Sequence, residues 1–141
     1  MQERFCRILR ETGRENIEYV IEDLEDAGFF TAPASGQGHG AYAGGLLEHS
    51  LGVYDMAMEI REATLKRRPE FEKQLTPEKI AVSALLHDVC KADRYKLVRK
   101  KRRNEIGVYE EMETYEIHDE MFPCGHGEKS VILLLRSGLD L

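Results

Sequence analysis

Within residues 84–91, an apolar run is followed by a histidine, an aspartate and a lysine, which together suit metal chemistry. The imidazole of His87 and the carboxylate of Asp88 are ligand types that bind divalent cations. Because a helix turns once in about 3.6 residues, adjacent side chains splay in mid-helix, but a pair in a last turn beside a cavity can converge. Lys91 lies four residues after His87 and three after Asp88, which places it on the same helix face. Because a lysine repels a metal ion, this spacing favours a site in which an anion such as a phosphate lies between the lysine and the metal ligands.

A second histidine, His49, lies in a similar apolar context, after Glu48. On its own, a His-Asp dipeptide is more often a surface pair than a metal site. A single histidine on an apolar helix is likewise more often a core residue, and Glu48 is expected to point away as a surface residue. The case for a site therefore depends on several motifs occurring together.

Three motifs do occur together: Gly-Gly-Leu-Leu-Glu-His at 44–49, Leu-Leu-His-Asp-x-x-Lys at 85–91, and Gly-His-Gly-Glu-Lys-Ser at 125–130. In this order and at these distances they resemble the HD-domain metal-dependent phosphohydrolase superfamily. The branch that includes the HD domain of bacterial 3′-to-5′ exoribonucleases is the most similar. The resemblance covers residues 29–141.

The resemblance implies a metal-dependent phosphohydrolase that acts on phosphomonoesters or phosphodiesters of nucleotides or short nucleic acids. It implies metal binding by His49, His87, Asp88 and His126, with Mn, Mg, Zn, Ni or Fe as the ion. Asp88 and Lys91 would be catalytic, because a metal lowers the pKa of bound water to about 7 and a lysine neutralises charge on phosphoryl oxygens. Lys91 and His126 would also bind the substrate phosphate.

Residues 31–45 are rich in glycine, proline and small side chains, which predicts a loop before the helix that carries His49. Glycines before a helix let the backbone approach a ligand, and a helix N-terminus offers N–H groups to an anion. His39 and Tyr42 are therefore candidate substrate-binding residues at the mouth of the pocket. An ordinary flexible connection explains the same composition equally well.

Two other functions remain open. One is a catalytically weak nucleotide- or phosphate-binding HD domain with a regulatory role. The other is the oxygenase chemistry of some di-iron HD-fold proteins, which requires a second full set of ligands; the sequence shows one set in part.

Composition limits the class of protein. The chain has 141 residues, 42% of them hydrophobic, which suits one domain with one core. Its net charge of −6 argues against a generally basic nucleic-acid coat. The three cysteines show no Cys-x-x-Cys spacing, and no apolar run is long enough for a membrane span, so we expect a cytoplasmic protein without membrane contact. The oligomeric state stays open.

The predicted fold is all-α, an HD-domain helical bundle with a small β-hairpin insertion. Helical periodicity predicts N-terminal helices within residues 1–28, at 2–11 and 14–27, and a longer helix at 45–66. Thr76 and Pro77 predict the start of the helix that leads to His87. Alternating residues predict a hairpin insertion at 94–118, whose basic first half and acidic second half suit cross-strand ion pairs or, less simply, a phosphate-attracting arm. A last helix is expected at 128–136.

The C-terminal part of the sequence raises the question of a further ligand. The resemblance implies a later aspartate, so we expect a single HD domain over residues 1–141 that is truncated at its C-terminus and holds metal weakly. Asp140 comes too soon to be that ligand. His118 and Asp119 repeat the dipeptide without an apolar lead-in and are not expected to bind metal. Cys124 and His126 lack two partners for a structural zinc site.

Overall fold

The computed structural model describes residues 1–118 and 125–141 as a mostly helical chain with one antiparallel hairpin. Five α-helices are described: α1 (Gln2–Glu11), α2 (Ile17–Asp26), α3 (Gly45–Arg67), α4 (Pro77–Leu86) and α5 (His126–Arg136). Strands β1 (Tyr95–Arg103) and β2 (Tyr109–Ile117) lie between α4 and α5. Short 3-10 turns occupy Pro69–Phe71 and Val89–Lys91. A mostly helical fold with a small hairpin is thus confirmed, while the domain limits stay a prediction.

The N-terminal helices form one side of the core. The apolar residues of α1 and α2 are buried at helical spacing, and Phe5 packs against the rings of Phe29 and Phe30 at centroid distances of 5.2 and 5.7 Å. Helix α2 begins at Ile17, later than the predicted residue 14, because Asn16 has a left-handed backbone (φ 62°) that cannot continue a helix. Helix α1 packs against α3 and α4, α2 packs against α1, and neither helix carries a residue of the predicted site.

Helices α3 and α4 pack against each other and carry the predicted metal ligands. Helix α4 begins as the sequence predicts, since the Thr76 hydroxyl accepts a hydrogen bond from the Lys79 backbone N–H and Pro77 holds the first position. Its apolar side chains are buried, with Leu85 and Leu86 almost inaccessible. The packing of these two helices fixes the separation of their ends, and hence of the ligands.

The loop before α3 is built closely onto the helix start. Gly40 has a left-handed backbone (φ 73°), and a Cβ atom there would lie 2.7 Å from the Cβ of Ala34. A Cβ atom on Gly45, the first residue of α3, would lie 2.2 Å from the Gly40 carbonyl oxygen. Both glycines are therefore required by close approach, and the loop that precedes His49 has a defined path.

The hairpin is an isolated two-stranded ribbon in the described part of the chain. Opposite charges face each other across it, as in the Arg99–Glu113 pair at 3.1 Å, and Lys100 forms a further ion pair with Glu116, which lies further along β2. The predicted cross-strand ion pairs are therefore present. The alternative of a phosphate-attracting arm remains a prediction.

Candidate metal centre

Two helix ends bring the predicted ligands together. His49 lies in the first turns of α3, and His87 is the C-cap residue of α4. At Asp88 the backbone leaves α-helical geometry (φ −116°, ψ 18°), and the Val89–Lys91 3-10 turn follows. Because the chain turns at this residue, the Asp88 carboxylate points back toward His87 instead of lying about 100° around the helix from it.

The three side chains place one donor atom each at the corners of a nearly equilateral triangle. His49 Nε2 lies 3.2 Å from His87 Nε2, and these two nitrogens lie 3.4 and 3.3 Å from Asp88 Oδ2. Ligands about 2.0–2.1 Å from one ion are about 3.3–3.4 Å apart in a tetrahedral site and about 3.0 Å apart in an octahedral one. The observed spacing therefore fits a single divalent ion held by His49, His87 and Asp88.

The ring orientation of His87 is fixed by the backbone. Its Nδ1 lies 2.8 Å from the Ala84 carbonyl oxygen, and because a carbonyl only accepts, Nδ1 must donate. In the neutral ring, Nε2 then carries the free lone pair, and it faces Asp88 and His49. A backbone carbonyl that orients the second nitrogen is the usual support for a metal-binding histidine.

Burial and charge set the protonation of the three ligands. Burial lowers the pKa of His49, and the neighbouring His87 lowers it further. The hydrogen bond to Asp88 raises the pKa of His87, against the effect of burial. Burial alone would raise the pKa of Asp88, but its hydrogen bonds with His87 and Lys91 outweigh this and hold the pKa well below its usual range. Asp88 is therefore ionised, as a metal ligand must be.

Lys91 contacts the same carboxylate oxygen as the two imidazoles. Its Nζ lies 2.7 Å from Asp88 Oδ2, and the two side chains are only 19% and 12% exposed. The predicted proximity of Lys91 to the ligand set is present, although a 3-10 turn rather than an α-helix face creates it. The ion pair is direct, with no gap for an anion between these two side chains.

His126 lies apart from this triangle. It is the first residue of α5, and its Nδ1 lies 3.0 Å from an Arg94 nitrogen and 3.8 Å from the Cys90 sulfur. Among the residues that the structure describes, the cluster of potential ligands contains His49, His87 and Asp88 without His126. Its role as a metal or phosphate ligand therefore stays a prediction.

His39 and Tyr42 line a groove that begins at His49. The Tyr42 hydroxyl donates a hydrogen bond to the Glu48 carboxylate, and Glu48 lines the same groove. Glu48 is exposed, as expected, but it does not point away from the site, because it lines the groove with His49 and binds a predicted substrate-binding residue. The sequence signal for this pair is weak, since it consists of a tyrosine six residues before a glutamate across a helix start.

The remaining candidates do not join the cluster in the described residues. His118 follows β2, and its backbone N–H donates to the Arg94 carbonyl; Asp119 and Cys124 lie outside the described residues. The Asp140 carbonyl accepts a hydrogen bond from Arg14, and Asp140 is not among the residues of the cluster. None of the described helices is long and apolar enough to cross a membrane.

Comparison with known proteins agrees with this geometry. The family model for the HD domain matches residues 46–136, which is more than half of the chain. The chain therefore belongs to the HD domain family, whose members are generally metal-dependent hydrolases. No curated protein and no solved structure gives a significant match.

The triangle predicts which substitutions remove the metal. His87→Ala and Asp88→Ala should each abolish stoichiometric binding of a divalent ion, because each deletes one of three ligands. Helical content should persist, since the core consists of aliphatic residues around the site. Elemental analysis and circular dichroism measure the two effects.

The exposed His118 provides a control, as His118→Ala should bind metal like the unchanged protein. Full metal content in either His87→Ala or Asp88→Ala would show that the triangle is not the metal centre.

The site also predicts the pH dependence of metal binding. A metal needs the neutral Nε2 of His87, and the raised pKa of this residue keeps a proton there to higher pH than in a free histidine. The affinity for the metal should therefore rise with pH until the pKa of His87 is reached. Below that pKa it should fall by about 10-fold per pH unit, because one proton is displaced by the metal. Calorimetric titration with Mn²⁺ from about pH 5.5 to pH 8 measures the slope. A dissociation constant that is constant over this range would contradict the assignment.

Proposed function

We propose that this chain is a metal-dependent phosphohydrolase that acts on phosphomonoesters or phosphodiesters of nucleotides or short nucleic acids. The observation that carries the proposal is the triangle of His49, His87 and Asp88, spaced for one ion, with Lys91 in contact with it. Membership of the HD domain family supports the hydrolase class but does not identify the substrate.

The donor set accounts for the chemistry. A divalent ion held by the imidazoles of His49 and His87 and the carboxylate of Asp88 would lower the pKa of bound water and polarise phosphoryl oxygens. His49, with its lowered pKa, stays a neutral ligand near pH 7. The Ala84 carbonyl keeps His87 in the tautomer that presents Nε2 to the centre. The protein therefore supplies an oriented ligand set without rearranging the α3 and α4 ends.

Lys91 supplies the positive charge that a phosphoryl group needs. Its ammonium is mostly buried and lies beside the carboxylate that faces both histidines, so an anion bound at the triangle lies close to it. As negative charge builds on the phosphoryl oxygens, a preplaced cation stabilises it without reorganisation. We assign Lys91 and Asp88 to the catalytic group, and Lys91 also to phosphate binding.

The finer placement near the HD domain of bacterial 3′-to-5′ exoribonucleases is part of this proposal. It is supported by the order and spacing of the three motifs in the sequence. In this proposal His126, His39 and Tyr42 bind substrate, and His126 contacts the phosphate or a second ion. Stepwise shortening of a short RNA from its 3′ end would distinguish this branch from a hydrolase of mononucleotides.

A screen with purified protein tests the function. Hydrolysis of a generic phosphomonoester and a generic phosphodiester is measured with Mn²⁺, Mg²⁺, Zn²⁺, Ni²⁺ and Fe²⁺, alongside metal content. The expected result is metal-dependent turnover that His87→Ala removes. Stoichiometric metal without turnover of either ester would contradict the hydrolase and favour the phosphate-binding regulatory domain.

Lys91→Ala tests the proposed division of roles. Metal should stay bound, because three ligands remain, while kcat falls by about 100-fold if the lysine supplies about 3 kcal/mol of charge stabilisation. Steady-state kinetics and elemental analysis measure the two effects. Lys66→Ala removes an exposed lysine at the end of α3 and should leave both unchanged. Unchanged kcat in Lys91→Ala would exclude a catalytic role for this residue.

A further inference from the structure

A groove of about 540 Å³ leads away from the metal centre along one face of α3. It starts at His39, Tyr42 and His49 and continues over residues spaced three or four apart, as one face of a helix requires. Its far part consists of Val53, Met56, Ala57 and Ile60. The groove is therefore continuous with the metal centre and becomes apolar with distance from it.

The charges of the groove show which part of a phosphoester suits it. None of the described residues that line it is a lysine or an arginine, and Glu48 contributes a negative charge. A second phosphate would lack a counter-charge here and would be repelled by this carboxylate. Lys91 is not among the residues that line it. The groove therefore suits the uncharged part of the substrate.

The mouth of the groove carries an aromatic ring in a defined position. Tyr42 is 46% exposed, and its hydroxyl is held by the carboxylate of Glu48, next to the metal ligand His49. A ring that is already oriented loses less entropy when a planar group stacks on it. Such stacking is worth about 1–3 kcal/mol for a nucleic-acid base on an aromatic side chain.

The position of Tyr42 fixes where along the groove a planar group can lie. Ile60 lies twelve positions after Glu48, which at 1.5 Å per residue is about 18 Å along α3. A ring stacked on Tyr42, whose hydroxyl is held by Glu48, therefore occupies the mouth of the groove beside His49 and does not reach Ile60.

We propose that this groove holds the uncharged, planar part of the phosphoester, stacked on Tyr42, and that Glu48 is the residue that positions Tyr42. The inference rests on the proposed phosphohydrolase function and adds to it how the ring of such a substrate is recognised, namely by stacking on a tyrosine that Glu48 holds in place.

Two phosphomonoesters test the preference: phenyl phosphate, which has a planar ring, and glycerol phosphate, which has none. Each variant is compared with the unchanged protein on the same ester, so the different reactivities of the esters cancel. Tyr42→Ala should lower kcat/KM for phenyl phosphate about 10-fold, through KM, and change glycerol phosphate less than about 2-fold. Tyr42→Phe keeps the ring and should lose less than about 3-fold.

Glu48→Gln tests the positioning role. This substitution weakens the hydrogen bond to the tyrosine hydroxyl but keeps the ring. Its loss of kcat/KM should therefore be similar to that of Tyr42→Phe and limited to phenyl phosphate. Matched controls are Tyr19→Ala, an exposed tyrosine on α2, and Glu59→Gln, an exposed glutamate on α3. Both control variants should leave kcat/KM for the two esters unchanged.

The proposal is overturned if Tyr42→Ala lowers kcat/KM equally for both esters or for neither of them. A second measurement separates this outcome from failure of the hydrolase function: calorimetric binding of phenyl phosphate to metal-free protein needs no turnover. Binding about 10-fold weaker in Tyr42→Ala than in Tyr19→Ala would support the groove even if no ester were hydrolysed. Equal binding in these two variants would overturn it.

Discussion

One carboxylate oxygen organises the centre of this molecule. Asp88 Oδ2 lies within 3.4 Å of His49 Nε2, His87 Nε2 and Lys91 Nζ, although its side chain is only 12% exposed. A buried charge is tolerated only when it is paired and hydrogen-bonded. The helix must therefore end where it does, because continued α-helical geometry at Asp88 would turn this oxygen away from its partners. The packing of α3 on α4 and the 3-10 turn that carries Lys91 both serve this one contact point.

A second constraint acts from the loop before α3. The backbones of Gly40 and Gly45 meet at a distance that excludes a Cβ atom, so the loop lies directly on the helix start. This path brings Tyr42 within hydrogen-bond distance of Glu48 and places His39 beside the groove. The predicted ligand His49 and the groove mouth are thus positioned by one steric contact, although they belong to different elements.

The sequence predicts the helices and the hairpin well, and three of the four predicted ligands lie together, because both depend on local patterns. Thr76 and Pro77 mark a helix start through chemistry within one turn, and the motif with His49 and that with His87 and Asp88 identify three residues that the structure brings together. The 3-10 turn at Asp88 and the pairing of Tyr42 with Glu48 could not be predicted in this way. Both depend on how separate segments pack, which no local spacing encodes. The position of His126 relative to the centre depends on packing in the same way.

The hairpin has a consequence for the behaviour of the protein in concentrated solution. In the described part of the chain, no other strand covers the outer edge of β1. This strand carries six cationic side chains: Lys96, Arg99, Lys100, Lys101, Arg102 and Arg103. An uncovered strand edge is a template for edge-to-edge aggregation, and charged side chains, lysine above all, oppose it. Two copies of β1 repel each other, while within one chain the acidic β2 neutralises much of that charge. The same residues that hold the ribbon together thus keep it from recruiting a second ribbon.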